Sequence, residues 1–220
     1  MAARKKQTPA LFPDLDAPDP PGAFEARLRA DGAGRVAGVD EAGRGPLAGP
    51  VVAAAVILDE TEVYPGVGDS KQMDPASREK AFWLILRRAR AVGLGLVGQA
   101  EIDRINILQA SLKAMVLAVS RLNPAPDFLL IDGNMPIPAD VPQRAVKQGD
   151  RLVLSIGAAS VVAKVVRDRI MAAYGCRYPQ YGFDSHKGYG TKAHIEALDR
   201  YGPCPLHRMS FRPLRSASGP

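Results

Sequence analysis

Residues 38–46 of the chain, Gly-Val-Asp-Glu-Ala-Gly-Arg-Gly-Pro, place two adjacent carboxylates and one arginine in a turn rich in glycine. The acids, Asp40 and Glu41, follow directly on an apolar strand pattern. Carboxylates at the end of a buried strand are costly unless they bind a cation or take part in chemistry. The glycines leave backbone N–H groups open to close approach by a polar ligand. The segment therefore predicts a site for a metal, an anion or both.

Two further acids, Asp132 and Asp150, also stand at predicted strand ends or the turns beside them. Ligands of open α/β sheets bind at the carboxyl ends of strands, so these acids are expected to join Asp40 and Glu41 in one cluster. Such a cluster cannot stay fully ionised without cations. Either Asp132 or Asp150 alone also fits an ordinary turn, and the prediction depends on the four acids together.

The ligand types indicate which cation the cluster would bind. Oxygen ligands without a Cys or His companion favour Mg²⁺ or Mn²⁺ over zinc. A pair of such ions about 3.5–4 Å apart activates water and stabilises the leaving oxygen in phosphodiester cleavage. Two ions of Mg²⁺ or Mn²⁺ are therefore expected during catalysis.

The elements that must position these acids alternate between strand and helix. Early strands in succession, followed by strand–helix alternation, predict an α/β fold with a central mixed sheet flanked by helices on both faces. Strand patterns cover residues 35–40, 50–58, 94–98, 128–131 and 143–147, and helix patterns cover residues 74–91, 100–122, 153–174 and 192–201.

Composition divides the chain into one domain and two extensions. Residues 1–34 are rich in Pro, Ala, Gly and Asp, which predicts a flexible arm with room for a short helix near its end. Residues 35–213 are expected to form the single catalytic domain, and residues 214–220 a loose tail. The predicted compact body is therefore shorter than the 220-residue chain.

Charge is distributed unevenly along the chain, which has a formal net charge of +6. Between residues 144 and 215, 13 Lys or Arg residues stand against 5 Asp or Glu residues. A basic excess confined to one part of a protein is typical of a phosphate-binding face, so a nucleic-acid partner is expected. A solvated basic surface that aids solubility is the alternative.

Several other classes of protein are disfavoured. Cys176 and Cys204 show no C-x-x-C spacing, which favours reduced thiols in the cytoplasm. No apolar stretch reaches the ~18 residues of a membrane span, and the N-terminus lacks the apolar region of a secretory signal. No P-loop or dinucleotide fingerprint is present.

His186, His194 and His207 lack metal-ligand spacing, so structural roles are expected, with a place near the substrate left open for His186.

An ordered series of motifs resembles the ribonuclease HII family. It opens with residues 38–51 and continues with Asp69-Ser70-Lys71, Ile131-Asp132-Gly133-Asn134 and residues 158–168. It closes with residues 178–183, 186–191 and 207–211. The resemblance implies a ribonuclease H-like fold and a metal-dependent endonuclease that cleaves the RNA strand of RNA–DNA hybrids. It also implies incision 5′ of single ribonucleotides embedded in duplex DNA, leaving 5′-phosphate and 3′-hydroxyl ends.

The resemblance also implies roles for individual residues. Asp40, Glu41 and Asp132 correspond to metal ligands, and Asp150 completes the acidic site beside the second ion. Gly43-Arg44-Gly45 corresponds to the loop that reads the 2′-hydroxyl, and Tyr189 to the aromatic residue that packs on the following deoxyribose. Lys71, Lys164, Arg167 and Lys187 lie in matching motifs and are expected to neutralise phosphates. Lys164 and Arg167 share a helix face that also fits an ion-paired surface beside Asp168.

Two alternatives stay open: a non-cutting nucleic-acid-binding protein on the same scaffold, and another metal nuclease of the wider ribonuclease H-like superfamily. The four acids argue against the first, because a pure binder gains nothing from repelling carboxylates beside phosphate. The Gly43-Arg44-Gly45 loop with Tyr189 argues against the second, because only a 2′-hydroxyl reader needs it. A cytoplasmic monomer without membrane association is expected.

Overall fold

The computed structural model describes residues 22–67, 70 and 73–214. Within these residues the strands are β1 (Val36–Ala42), β2 (Val51–Ile57), β3 (Ala91–Val97), β4 (Phe128–Asp132) and β5 (Gln143–Val146). They form one five-stranded sheet in the order β3-β2-β1-β4-β5. The β1–β2 and β2–β3 pairs are antiparallel, and the β1–β4 and β4–β5 pairs are parallel. The predicted mixed sheet is confirmed.

Helices cover both faces of this sheet, as predicted. Those of the described residues are α1 (Ala23–Ala30), α2 (Pro75–Arg88), α3 (Gln99–Ser120), α4 (Gly149–Leu152), α5 (Leu154–Arg177), α6 (Phe183–His186) and α7 (Lys192–Tyr201). The α3 helix packs on one face, against alternate residues of the central strands such as Val39 and Ile131. The α5 and α2 helices pack on the other face, against Ala54 and Val56. None of the described helices is long and apolar enough to cross a membrane.

Two helix predictions were wrong in detail. The α2 helix begins as predicted, with Asp74 accepting hydrogen bonds from the Ala76 and Ser77 amides. It ends at Arg88 rather than at residue 91, because β3 starts at Ala91 to pair with β2. The α3 helix is interrupted at Asn106, whose φ of 66° and ψ of 164° are not helical. Its side chain accepts a hydrogen bond from the Gln109 amide and so caps the second half of the helix.

The termini of the described chain pack on the domain. Residues 1–21 of the predicted arm and residues 215–220 of the predicted tail lie outside the described residues. The α1 helix, within the predicted arm, buries Phe24 and Leu28 against Val36 and Leu130. Leu214 is also buried, beside Leu198 of α7. These segments therefore contribute to the folded body.

The α5 helix approaches β1 closely at Gly38. A Cβ atom at this position would lie 2.1 Å from the backbone carbon of Ser155 and 2.3 Å from the backbone nitrogen of Ile156. Only glycine allows the helix backbone this near to the strand. The approach places Ser160, farther along α5, within hydrogen-bonding reach of Asp40. The packing of one glycine thus helps to build the acidic end of β1.

Gly38→Ala is expected to lower the free energy of unfolding by about 3 kcal/mol, because the added methyl group has backbone rather than a flexible side chain to displace. Denaturant unfolding followed by circular dichroism measures the loss. Gly98→Ala is the matched control, since a Cβ atom there meets nothing within 4 Å. It should cost about 1 kcal/mol or less as a change at a helix N-cap. Equal losses in the two variants would contradict the close approach of α5.

Candidate active site

Three of the four predicted acids meet at the carboxyl ends of two adjacent interior strands, β1 and β4. Asp40 lies near the end of β1, and Asp132 is the last residue of β4. The parallel ladder pairs Val39 with Ile131, so the two aspartates follow at neighbouring positions. Glu41, the next residue after Asp40, points to the opposite face of the strand, towards α3. All three side chains line a single open cavity of about 350 Å³.

The cavity also brings together most of the other predicted residues. Its remaining lining comprises Ala42, Gly43, Arg44, Gly45, Ser70, Ser160, Lys164, Arg167 and Tyr189. Ser70, from a motif singled out in the sequence, exchanges a hydrogen bond of 2.8 Å with the Ser160 hydroxyl. Lys71 lies outside the described residues. Asp150 and Lys187 are described but are not part of this lining.

Asp150 occupies a helix rather than a strand end. The β5 strand ends at Val146, and Gln148, with a positive φ of 57°, turns the chain into α4. The Gly149 amide donates a 2.8 Å hydrogen bond to Asp132 Oδ1, and the Asp150 amide lies 3.4 Å from the same oxygen. Asp150 is therefore buried immediately behind Asp132, whose carboxylate it supports through the backbone.

The electrostatics of the acids favour a bound cation. Burial raises the pKa of Asp40 well above its usual value, and repulsion from Glu41 and Asp132 raises it further. Hydrogen bonds from Ser160 and from the Glu41 amide, the latter at 2.7 Å, oppose this rise. Burial also raises the pKa of Glu41, although Arg44 offsets part of the effect through a 3.2 Å bond to Oε1. Negative charge at neutral pH is thus costly here unless a cation offsets it.

The donor atoms suit a hard divalent cation. Three carboxylates line the cavity, and its described lining contains neither Cys nor His. Although Asp40, Glu41 and Asp132 share the cavity, no three His, Cys, Asp or Glu side chains of the described residues are already arranged to hold one metal ion. A cation that bound Asp40, Glu41 and Asp132 would offset the repulsion that raises the pKa of Asp40. The residues present therefore fit Mg²⁺ or Mn²⁺ by charge and donor type.

Arg208 holds the glycine loop from inside the protein. Its side chain is fully buried and donates to the carbonyl oxygens of Gly43 at 2.6 Å, Arg44 at 2.9 Å and Gly49 at 3.0 Å. Burial and the charge of Arg167 lower the pKa of Arg208 to about 9, which leaves the guanidinium charged at neutral pH. Sequence reasoning gave this residue no role, because its motif does not distinguish a buried arginine from a surface one.

Arg167 supports the same loop from α5. The side chain is 1% exposed and donates to the carbonyl oxygens of Pro50, Lys187 and Ala48, at 3.0, 3.1 and 3.2 Å. A Cβ atom at Gly43, which has a φ of +100°, would lie 2.0 Å from Arg167 Nε. The Arg167 side chain therefore occupies space that is free only because residue 43 is a glycine. These bonds favour a structural role for Arg167 over the predicted contact with phosphate.

The three other substrate-binding candidates differ in what they touch. Tyr189 is 45% exposed, and a Cβ atom at Gly45 would lie 3.7 Å from its ring. Lys164 pairs with Asp168 at 2.8 Å, as one alternative predicts, and it also lines the cavity, where its contact with phosphate stays a prediction. Lys187 instead donates to the Asp184 carbonyl oxygen. The cavity thus combines acids, a glycine loop, an exposed ring and one amine.

Comparison with known proteins settles the family. Residues 37–213 match the family model described as Ribonuclease HII. The chain belongs to the ribonuclease HII family. A ribonuclease HII from Syntrophotalea carbinolica is 54% identical over 205 residues, which cover 93% of this chain and 97% of that protein.

Solved structures agree with this membership of the ribonuclease HII family. The ribonuclease H2 of Pyrococcus horikoshii OT3 superposes with a TM-score of 0.69 at 28% identity, over 83% of this chain and 96% of that one. The Bst ribonuclease HIII in complex with Mn²⁺ gives a TM-score of 0.63 at 18% identity, over 87% of this chain and 72% of that one. The fold is ribonuclease H-like, and the protein is a ribonuclease H that acts on nucleic acid. The family resemblance and the α/β fold predicted from sequence are both confirmed.

Proposed function

We propose that the cavity is the active site of a metal-dependent endoribonuclease. It cleaves the RNA strand of RNA–DNA hybrids and incises 5′ of single ribonucleotides embedded in duplex DNA, leaving 5′-phosphate and 3′-hydroxyl ends. The observation that carries this proposal is the single cavity shared by three acids, the Gly43-Arg44-Gly45 loop and Tyr189. A nucleic-acid strand bound in this cavity would have its ribose recognised and its backbone cleaved in the same place.

The acids supply the cleavage half of the site. Asp40, Glu41 and Asp132 would hold the cations, with Asp150 completing the acidic site from behind Asp132. When bound, a pair of Mg²⁺ or Mn²⁺ ions activates a water and stabilises the departing 3′-oxygen. The carboxylates lie on two neighbouring strands of the sheet. Because the sheet is rigid, their positions relative to the phosphate stay fixed, which favours in-line displacement. Bst ribonuclease HIII, which shares the fold, was solved in complex with Mn²⁺.

The glycine loop supplies recognition of the ribose. A 2′-hydroxyl distinguishes RNA from DNA at a single position because it both donates and accepts hydrogen bonds. Arg208 binds the carbonyl oxygens of Gly43 and Arg44 from the interior. Backbone N–H groups of the loop and the Arg44 side chain are therefore the groups proposed to meet the hydroxyl and its neighbouring phosphate.

Tyr189 supplies selectivity for the RNA–DNA junction. Its exposed ring beside Gly45 would pack on the sugar that follows the ribonucleotide, tolerating deoxyribose and clashing with an added hydroxyl. Lys164 is proposed to neutralise a phosphate near the cavity, and Lys71 and Lys187 are proposed to neutralise further phosphates of the substrate. The protein is proposed to work as a cytoplasmic monomer on nucleic acid.

A DNA duplex with one embedded ribonucleotide tests the proposal directly. The duplex is incubated with the protein and Mg²⁺, then with EDTA, beside an all-DNA duplex and a long RNA–DNA hybrid. A metal-dependent cut 5′ of the ribonucleotide, absent from all-DNA, is the expected result. Cleavage of the long hybrid alone would remove the junction-reading role from the loop and Tyr189. Binding without cleavage in either Mg²⁺ or Mn²⁺ would favour a non-cutting binder.

Tyr189→Ala is expected to lower the preference for the embedded ribonucleotide over the continuous hybrid by about 10-fold or more, because the ring no longer excludes a hydroxyl on the next sugar. Tyr189→Phe keeps the ring and should keep the preference. The ratio of kcat/KM on the two substrates is the measurement. Tyr201→Ala removes another exposed ring, on α7, and serves as the control. An unchanged ratio in Tyr189→Ala would leave the tyrosine structural.

A further inference from the structure

Three histidines pack together beneath the segment that carries Tyr189. The rings of His186 and His194 stack with centroids 4.5 Å apart and planes 17° apart. The Nε2 atoms of His194 and His207 lie 3.0 Å apart, and both residues are buried. The structural roles predicted for these residues left open what they hold in place.

Hydrogen-bond chemistry assigns every proton in the His194–His207 pair. The Tyr189 carbonyl oxygen can only accept, so His194 Nδ1, 2.8 Å away, must carry a proton. Neutral His194 then accepts at Nε2, which makes His207 Nε2 the donor across the 3.0 Å contact. Neutral His207 then accepts at Nδ1 from the Cys204 amide at 2.9 Å, and the Cys204 carbonyl oxygen, 3.2 Å from the same nitrogen, receives no proton in this tautomer. The bonds run in one direction, from Cys204 through the two rings to Tyr189.

Both rings must be neutral for this arrangement to exist. A second proton on His194 would sit on Nε2 and face the N–H of His207, and a second proton on His207 would sit on Nδ1 and face the N–H of Cys204. The titratable side chains around the pair are His186 from α6, Tyr181 from the turn before it, and Cys204. Burial lowers the pKa of His194 and lowers that of His207 to about 4. The protonation state that the bonds require is therefore the one that burial favours.

Backbone hydrogen bonds hold the peptide units on both sides of Tyr189. The ring is 45% exposed, whereas the Tyr189 amide donates to the His186 carbonyl oxygen at 3.0 Å. The Tyr189 carbonyl oxygen accepts from the Thr191 amide at 2.8 Å as well as from His194. A shift of this carbonyl would rotate the peptide unit that carries the ring and so move the ring relative to Gly45.

We propose that His207 and His194 are positioning residues, a one-directional chain of neutral imidazoles that fixes the Tyr189 carbonyl and thereby aligns the ring that selects the RNA–DNA junction. This inference rests on the function proposed for Tyr189. It gives the two histidines a part in substrate selection without contact with substrate. Loss of the His194 donor should disturb selection more than the cleavage step itself.

The first test reads the tautomers by ¹⁵N NMR on the wild-type protein and needs no catalysis. The chain contains three histidines, so their signals are few to assign. Expected are Nδ1–H on His194 and Nε2–H on His207, with both rings still neutral at about pH 6.5, the ordinary pKa of histidine. An Nε2–H tautomer on His194, or protonation of either ring near the ordinary value of about 6.5, would overturn the relay.

The second test compares two substitutions at His194 in the junction assay. His194→Asn keeps an amide N–H near the position of Nδ1, whereas His194→Phe keeps the ring volume and removes the donor. His194→Phe should lower the junction preference about 10-fold, and His194→Asn should stay within about twofold of wild type. Tyr181→Phe, which loses the bond to the Gly202 carbonyl oxygen and keeps the ring, is the control and should keep the preference.

The outcomes separate this inference from the function on which it rests. Equal losses in His194→Phe and His194→Asn, or no loss in His194→Phe, would overturn the positioning role while the wild-type junction preference stands. A wild-type protein without junction preference would overturn the role of Tyr189 and the selection role of the histidines together. The NMR measurement decides the direction of the relay in every case, including one in which His194→Phe fails to fold.

Discussion

Asp40→Asn is expected to lower the cleavage rate by at least about 100-fold, since even residues that only orient metal ligands are worth 10–100-fold. The same substitution should raise the melting temperature measured in EDTA. The pKa of Asp40 is raised in the folded protein, mainly by burial and then by Glu41 and Asp132. The folded state therefore binds this proton more tightly than the unfolded state does, and stability falls as pH rises above the ordinary pKa. Asparagine is nearly the same size as aspartate and carries no charge, so the substitution removes this loss of stability at neutral pH.

Two measurements on one preparation check this prediction. Cleavage of the embedded-ribonucleotide duplex gives the activity, and calorimetry in EDTA gives the melting temperature. Asp59→Asn is the matched control: Asp59 is a partly exposed acid away from the cavity, and hydrogen bonds from Thr61 lower its pKa. It should keep full activity and gain no stability. Full activity in Asp40→Asn would remove Asp40 from the metal site, and a lower melting temperature would contradict the electrostatic argument.

Arg208→Lys is expected to reduce both stability and selectivity, despite keeping the positive charge. The planar guanidinium reaches the carbonyl oxygens of Gly43, Arg44 and Gly49 at once, whereas an ammonium on a flexible stem cannot match this geometry. Each buried carbonyl left without its donor costs about 1–3 kcal/mol. We expect a loss of about 3 kcal/mol in the free energy of unfolding, together with at least a 10-fold drop in kcat/KM on the embedded ribonucleotide, because the loop loses its fixed position.

Denaturant unfolding and kcat/KM on the two substrates test the Arg208 prediction. Arg104→Lys is the control, since Arg104 is exposed on α3, where it pairs with Glu101. That surface pair is worth about 1 kcal/mol or less, so both readouts should stay near wild type. An Arg208→Lys protein that is as stable and as selective as wild type would show that the loop keeps its shape without the buried guanidinium.

The acidic site was predictable because its chemistry and its strand pattern occur in the same few residues. Asp40 and Asp132 end apolar runs, and the parallel pairing of β1 with β4 follows from the alternation of strands and helices. Asp150 was predicted at a strand end or in the turn beside it and lies in α4, because the left-handed turn at Gln148 and this four-residue helix have no periodic pattern to reveal them. The short motif identified the residue but not the element that carries it.

Long-range support for the site could not be predicted from sequence. Arg208 looks like any basic residue in a polar segment, and its burial appears only when Gly43 and Gly49 fold over it. The histidines give no metal-like spacing, and their bonds to each other and to the Tyr189 carbonyl depend on how α6 and α7 pack. Asn106 interrupts α3 without a proline or glycine to signal a break. Each of these features depends on contacts between segments distant in the chain or on a backbone conformation without a local signature.

The bond between Arg208 and the Gly43 carbonyl oxygen joins residues 165 positions apart. During synthesis the chain emerges from its N-terminus, and the sheet strands, the last of which ends at Val146, appear well before Arg208. The acids on β1 and β4 can therefore be in place while the loop beside them still lacks its support. The order of translation thus delays the fixing of the glycine loop until Arg208 has been made.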